Sequence, residues 1–125
     1  MPEKSDRFDL EERTAMFGGQ VLGFARRIPD TLLTKSLVSQ LVRAATSIGA
    51  NYCEADDAES RADFRHKIGI CKKEARETRH WLRMVVVAVP ELKDKARELW
   101  REAKELNLIF NAIVRSVDAR KDTCE

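Results

Sequence analysis

The stretch Thr34–Ala58, TKSLVSQLVRAATSIGANYCEADDA, decides how the rest of the chain is read. Leu33, Leu37, Leu41, Ala44, Ile48, Tyr52 and Ala55 recur in steps of three and four, the spacing of one face of an amphipathic helix. Beside them lies a second line, Ser36, Gln40, Ser47, Asn51 and Glu54, that is small, polar and nearly uncharged. A solvated face would carry Lys and Glu, so this flank predicts a helix covered by a further partner. Ala45, Gly49 and Cys53 form a third line, whose small side chains would let a neighbouring helix come close.

Working outward, the other segments repeat the helical period. Leu10, Thr14, Phe17, Val21, Phe24 and Ile28 predict a helix over about 9–28, opened by Asp9 with Glu12 and stopped by Pro29. Gly18 and Gly19 interrupt it, which predicts either a bend or the close approach of another backbone. The opening stretch itself predicts a helix over 33–57. Ser60 and Asp63 form a weak capping box for a third helix, 61–89, whose core line is Phe64, Ile68, Cys71, Ala75, Thr78, Leu82 and Val85. Pro90 suits the first turn of a fourth helix, 91–118, with a heptad line from Leu92 through Ala96, Leu99, Ala103, Leu106, Phe110, Ile113 and Val117. Trp100 and Leu108 fall off that line, and the tail from Asp118 reads as polar and frayed. Four helices of similar length with short links predict an all-α, up-down-up-down antiparallel four-helix bundle, one domain over residues 1–125.

Composition narrows the function classes. At 125 residues, 43% hydrophobic and 35% charged, the chain can bury an ordinary core. No apolar run approaches the ~20 residues of a membrane span, and the N-terminal MPEKSDRFDLEER lacks a signal-peptide core, so no membrane role and a cytoplasmic location are expected. Cys53, Cys71 and Cys124 are too far apart for a disulfide framework or a zinc site, and the first two read as small residues inside helices. The net charge is +2, but residues 59–90 carry eight basic and four acidic groups. Their bases, Arg65, Lys72, Arg76, Arg79 and Arg83, line one flank of the third helix. The other flank holds Ile70, Glu74, Glu77, Trp81 and Met84, a mixture that predicts a second, intersubunit contact.

Part of this pattern resembles a known family. Gln40-Leu41, Arg43-Ala44-Ala45, Ser47-Ile48, Asn51 and Glu54 match its motif Q-L-x-R-A-A-x-S-I-x-x-N-x-x-E, and Ser60, Asp63 and Phe64 are similar to its next helix start. Glu74 and Glu77 stand where it commonly has acids. This is the four-helix bundle protein family, also called the 23S rRNA intervening-sequence protein family. Ala55 replaces its usual Gly, and Gly49 its frequent Pro. The resemblance implies a cytoplasmic bacterial protein that assembles as a ring, most often a homopentamer.

Sharper chemistry is weighed against this. Asp63-x-x-His66 and Glu77-x-x-His80 have the spacing of carboxylate-bridged metal bundles, but both lie on one helix with the histidines turned from its core line. No nucleophile elbow, P-loop or Gly-rich nucleotide loop occurs. Glu54, Glu74 and Glu77 read instead as partners of Arg43, Arg76 or a neighbouring subunit's base. No catalytic, cofactor or metal set is therefore assigned, and no small-molecule substrate is expected. The leading expectation is a non-enzymatic homo-oligomeric interaction module whose seam uses Gln40, Arg43, Ser47, Asn51, Glu54, Glu74, Glu77, Trp81 and Met84. The alternative is an RNA-binding accessory factor using the stripe Arg65, Lys72, Arg76, Arg79 and Arg83, with no aromatic stacking platform evident.

Overall fold

A computed structural model describes residues 9–124, and the side chains of residues 9–120. It contains four helices: α1 (Leu10–Ala25), α2 (Leu32–Asp56), α3 (Arg61–Ala88) and α4 (Lys93–Cys124), with a single 3₁₀ turn, Pro90–Leu92, before the last. The helices run up-down-up-down. Each packs chiefly on its neighbour in sequence, and the closing α1–α4 contact is the thinnest. A bidentate pair from Arg13 Nε and Nη2 to Glu102, at 2.7 and 2.9 Å, spans that seam.

Side-chain oxygens set three of the helix starts. Asp9 accepts from the Glu12 amide, and Ser60 from the Asp63 amide. Thr31 accepts from the Thr34 amide while Thr34 Oγ1 accepts from the Thr31 amide, a reciprocal box that satisfies two otherwise orphaned donors. Thr34 is turned inward to make these bonds and to donate to the Pro29 carbonyl. That is why Leu33, expected on the core line, is instead 69% exposed beside Leu32.

Five of the six residues expected on the inner face of α1 are buried on it, and Leu41, Ala44, Ile48 and Ala55 of α2 are buried too. The sixth, Ile28, is buried in the turn that follows, because the helix ends at Ala25 rather than at Pro29. In α3 the expected line holds from Ile68 to Val85, with Phe64 half-buried, and Glu74 joins it unexpectedly. In α4 the heptad reading fails at its end: Val114 is buried, whereas Ile113 and Val117 are half-buried. A strict seven-residue repeat drifts by ~20° per heptad on a straight helix, so after three heptads the inward step from Phe110 is four residues rather than three.

The small-residue line of α2 does meet a neighbour. A Cβ on Gly49 would stand 3.2 Å from Thr14 Oγ1, and one on Gly18 would stand 3.8 Å from the Thr46 Cα, so α1 and α2 pack with their backbones close. Cys53 and Cys71 both lie inside helices, as expected; Cys53, on the same line but a turn further, is exposed, whereas Cys71 is buried. Helix lengths are not similar: α1 has 16 residues and α4 has 32. The helix expected to fray at Asp118 continues to Cys124, where an Arg65–Asp118 pair ties its last third to α3. Met1–Phe8, including most of the segment read as lacking a signal, and the terminal Glu125 lie outside the described residues. Among the described residues no helix is long and apolar enough to cross a membrane.

Candidate nucleic-acid interface

Two polar faces flank α3, one against α2 and one against α4. On the α2 side, Arg43 holds both expected acids: Nη1 lies 3.3 Å from Glu74 and Nη2 lies 2.9 Å from Glu77, while Nε donates to Gln40 Oε1. The hydrogen bond to Glu77 and the field of both carboxylates raise the Arg43 pKa further above its ordinary value, so this cation is fixed at any working pH. Glu74, 7% exposed, is the one buried carboxylate among the described residues. Its burial is affordable because a guanidinium faces it.

The rest of that line is partly exposed within one chain. Asn51 Nδ2 donates to the Ser47 carbonyl within its own helix. Glu54 is 57% exposed on its side chain and pairs at 2.6 Å with Lys67, not with Arg43 or Arg76. It sits in the last turn of α2, where Lys67 reaches across from an early turn of α3 to meet it. The sequence motif therefore builds a hydrogen-bonded ladder between α2 and α3 of one chain. Trp81 and Met84 continue the line as half-buried side chains, and Trp81 Nε1 is a buried donor without a partner. His80 packs its ring edge against Trp81 with centroids 4.9 Å apart.

Beneath the ladder, Cys71 Sγ donates to the Ile48 carbonyl at 3.5 Å, and burial pushes its thiol up to about 12. It is a packed side chain rather than a nucleophile. His66 and His80 are exposed, and among the described residues no group of three His, Cys, Asp or Glu stands close enough to hold a metal ion.

The α4 side differs in kind. Lys72, Arg76, Arg79 and Arg83 step along α3 at four, three and four residues, one per turn or ~5.4 Å. They line a groove of about 490 Å³ with Trp100 and Asn107 of α4. A second hollow of about 280 Å³ continues it through Lys72, Lys73 and Arg76 to Arg65. Asn107 Nδ2 donates to the Lys72 carbonyl at 2.8 Å and fixes the two helices along the groove. Arg65 is neutralised by Asp118, with Nε and Nη2 at 2.9 and 3.1 Å from its two oxygens. Among the described residues no ion pair engages Lys72, Lys73, Arg76, Arg79 or Arg83.

An aromatic member, missed in the sequence, completes this groove. The Arg79 guanidinium carbon lies 4.6 Å from the Trp100 ring centroid, and Lys104 Nζ lies 5.6 Å from it. Arg79 Nε is buried without a hydrogen-bond partner, so its charge is held by the indole face rather than by a carboxylate. The signal was present: Trp100 fell off the core line of its helix, and a large aromatic off that line marks a second contact.

These features define an all-α four-helix bundle with a cationic groove between its last two helices. The chain belongs to the 23S rRNA-intervening sequence protein family, whose model matches residues 10–112. A crystal structure at 1.70 Å of a protein of unknown function from the S23 ribosomal protein family of Bacteroides thetaiotaomicron VPI-5482 shares the fold. It is 27% identical, with a TM-score of 0.74 over 83% of this chain and 96% of that one. Among curated proteins none matches significantly.

Proposed function

We propose that this protein is a non-enzymatic, RNA-binding accessory factor that grips phosphate backbone along the α3–α4 groove. The observation that carries the reading is the row Lys72, Arg76, Arg79 and Arg83, four cations on one wall with no acid in ion-pair range among the described residues. Such a row matches a repeating anion better than a single charged ligand, because each turn of the helix meets another phosphate. Lys and Arg hold such oxygens, and Trp100 adds a face for stacking. His80 also lines the groove, and among the described residues no carboxylate stands there to orient it as a general base. The family's description makes bacterial 23S rRNA segments the first probe to try. Fluorescence anisotropy with such a segment should show binding at ~50 mM salt that weakens steeply as salt rises. An unchanged signal at that salt, with folded protein, refutes the reading.

A second reading, self-association as a ring, has its own observation. Trp81 and Met84, large apolar side chains on one flank of α3, are only half-buried within one chain. A second subunit packed on this flank would cover the rest of both. We infer a homo-oligomer, pentameric on the family resemblance, working in the bacterial cytoplasm. Light scattering gives the subunit number, and a monomer at every concentration excludes this reading. The two are compatible, since a ring would present several grooves to one RNA and raise its avidity.

A further inference from the structure

We propose that the groove takes single-stranded rather than duplex RNA, with an unstacked base seated in an apolar hollow beside the basic row. This deepens the phosphate-backbone reading and rests on it. The hollow lies between Leu82, Val86 and Val87 of α3 and Ala96 and Trp100 of α4, and measures about 580 Å³. That volume falls within the ~300–1,000 Å³ of ordinary small-ligand pockets and exceeds what one base needs. Trp100 and Arg83 line both this hollow and the basic groove, so the two are continuous. A strand whose phosphates follow Lys72, Arg76 and Arg79 reaches the indole and Arg83 next.

The lining distinguishes a base from other occupants. The floor is aliphatic with one indole wall, and the polar groups around it are Arg83, Lys93, Arg97 and Arg101, all cations. An occupant must therefore be flat or apolar and must arrive attached to negative charge. A nucleotide in a flexible strand has both properties. In a duplex the base is already stacked and paired, and the deep major groove of A-form RNA hides its edges. Trp100 is held in place: it packs on the core cluster, with Arg79 and Lys104 over its ring. Val87, at 74% exposure, is apolar surface that an inserted base would cover.

The test uses the full chain and its Trp100→Leu and Val87→Gln variants, with anisotropy on labelled 12-nucleotide oligoadenylate and on a 12-base-pair RNA duplex. Inorganic polyphosphate serves as a competitor that has charge but no base. The single strand should bind tighter than the duplex, and Trp100→Leu should weaken it ~5- to 150-fold, the range for base–aromatic stacking, while polyphosphate competes as before. Val87→Gln should act in the same direction, and its exposure protects the fold if Trp100→Leu proves unstable. Equal affinity for both RNAs, insensitive to Val87→Gln, overturns base insertion but leaves the phosphate reading standing. Failure of every polyanion to bind refutes that underlying reading instead. Binding to phosphatidylglycerol vesicles in preference to the oligonucleotide overturns the inference by giving the hollow to an acyl chain.

Discussion

Removing charge from Arg76 and Arg83 tests the groove quantitatively. Both are exposed, neither is in an ion pair among the described residues, and both belong to the row of four. If Lys72, Arg76, Arg79 and Arg83 each neutralise one phosphate of a single strand, log Kd should rise with log salt at a slope of about 2.8. Affinity would then fall about 50-fold between 50 and 200 mM salt. The variant Arg76→Gln/Arg83→Gln should halve the slope to about 1.4 and lose about 65-fold in affinity at 50 mM, but only about 10-fold at 200 mM. The loss must shrink as salt rises, because it is counterion release that disappears. Anisotropy titrations at four salt concentrations measure it, with Arg26→Gln/Arg27→Gln at the end of α1 as a control that should leave the slope alone. If the double variant keeps a slope near 2.8, the phosphates lie elsewhere and the reasoning is wrong.

Further outcomes follow from packing and burial. Phe110→Ala, at a fully buried position in the middle of α4, should cost about 3–5 kcal/mol in chemical denaturation, whereas Gly19→Ala, where a Cβ meets nothing within 4 Å, should gain up to ~1 kcal/mol. Gly49→Ala and Thr14→Ala should be non-additive, because Thr14 Oγ1 is the atom 3.2 Å from the new Cβ; a double-mutant cycle with no coupling would refute the close α1–α2 packing. Cys71 should resist maleimide at pH 8 while exposed Cys53 reacts, and its raised pKa sets the sign of a pH effect. The neutral thiol contributes stability below about pH 9, and that contribution should be lost as pH rises toward 12.

The residues explain how much of this was legible beforehand. The burial of the inner line from Leu10 to Ile28 was legible because six apolar or small positions kept one period, which encodes burial by neighbours but not the helix's early end at Ala25. Leu33 was misread because periodicity cannot see a cap: Thr34 took the inward position to satisfy backbone groups. Glu74 was assigned to a flank, yet it is buried, since its place depends on Arg43 reaching it from 31 residues away. Trp100 was noticed as off its line but not placed in the groove. Its partner Arg79 lies on another helix, and the register between α3 and α4 is a tertiary fact. The extension of α4 past Asp118 has the same origin, because its salt bridge to Arg65 spans 53 residues.

The two faces of α3 show why the most distinctive sequence motif need not be the functional site. The motif residues Gln40, Arg43, Ser47, Asn51 and Glu54 resolve, within one chain, into bonds among themselves and with Glu74, Glu77 and Lys67. Groups paired in this way have little left to offer a ligand, and Arg43 in particular has two carboxylates to leave before it can bind a third anion. On the opposite flank the cations are assembled but not neutralised, and Arg79 is parked on an indole instead of an acid. Holding several like charges in a row costs self-repulsion that a salt bridge would have removed. A bundle selected for stability alone would place an acid on α4 beside that row, for example at exposed Lys104, whose Nζ lies 5.6 Å from the Trp100 ring centroid. Lys104→Glu should therefore raise the melting temperature or leave it unchanged while weakening anion binding. If it instead lowers stability and leaves binding intact, the groove is a packing feature, and its open charge needs another explanation.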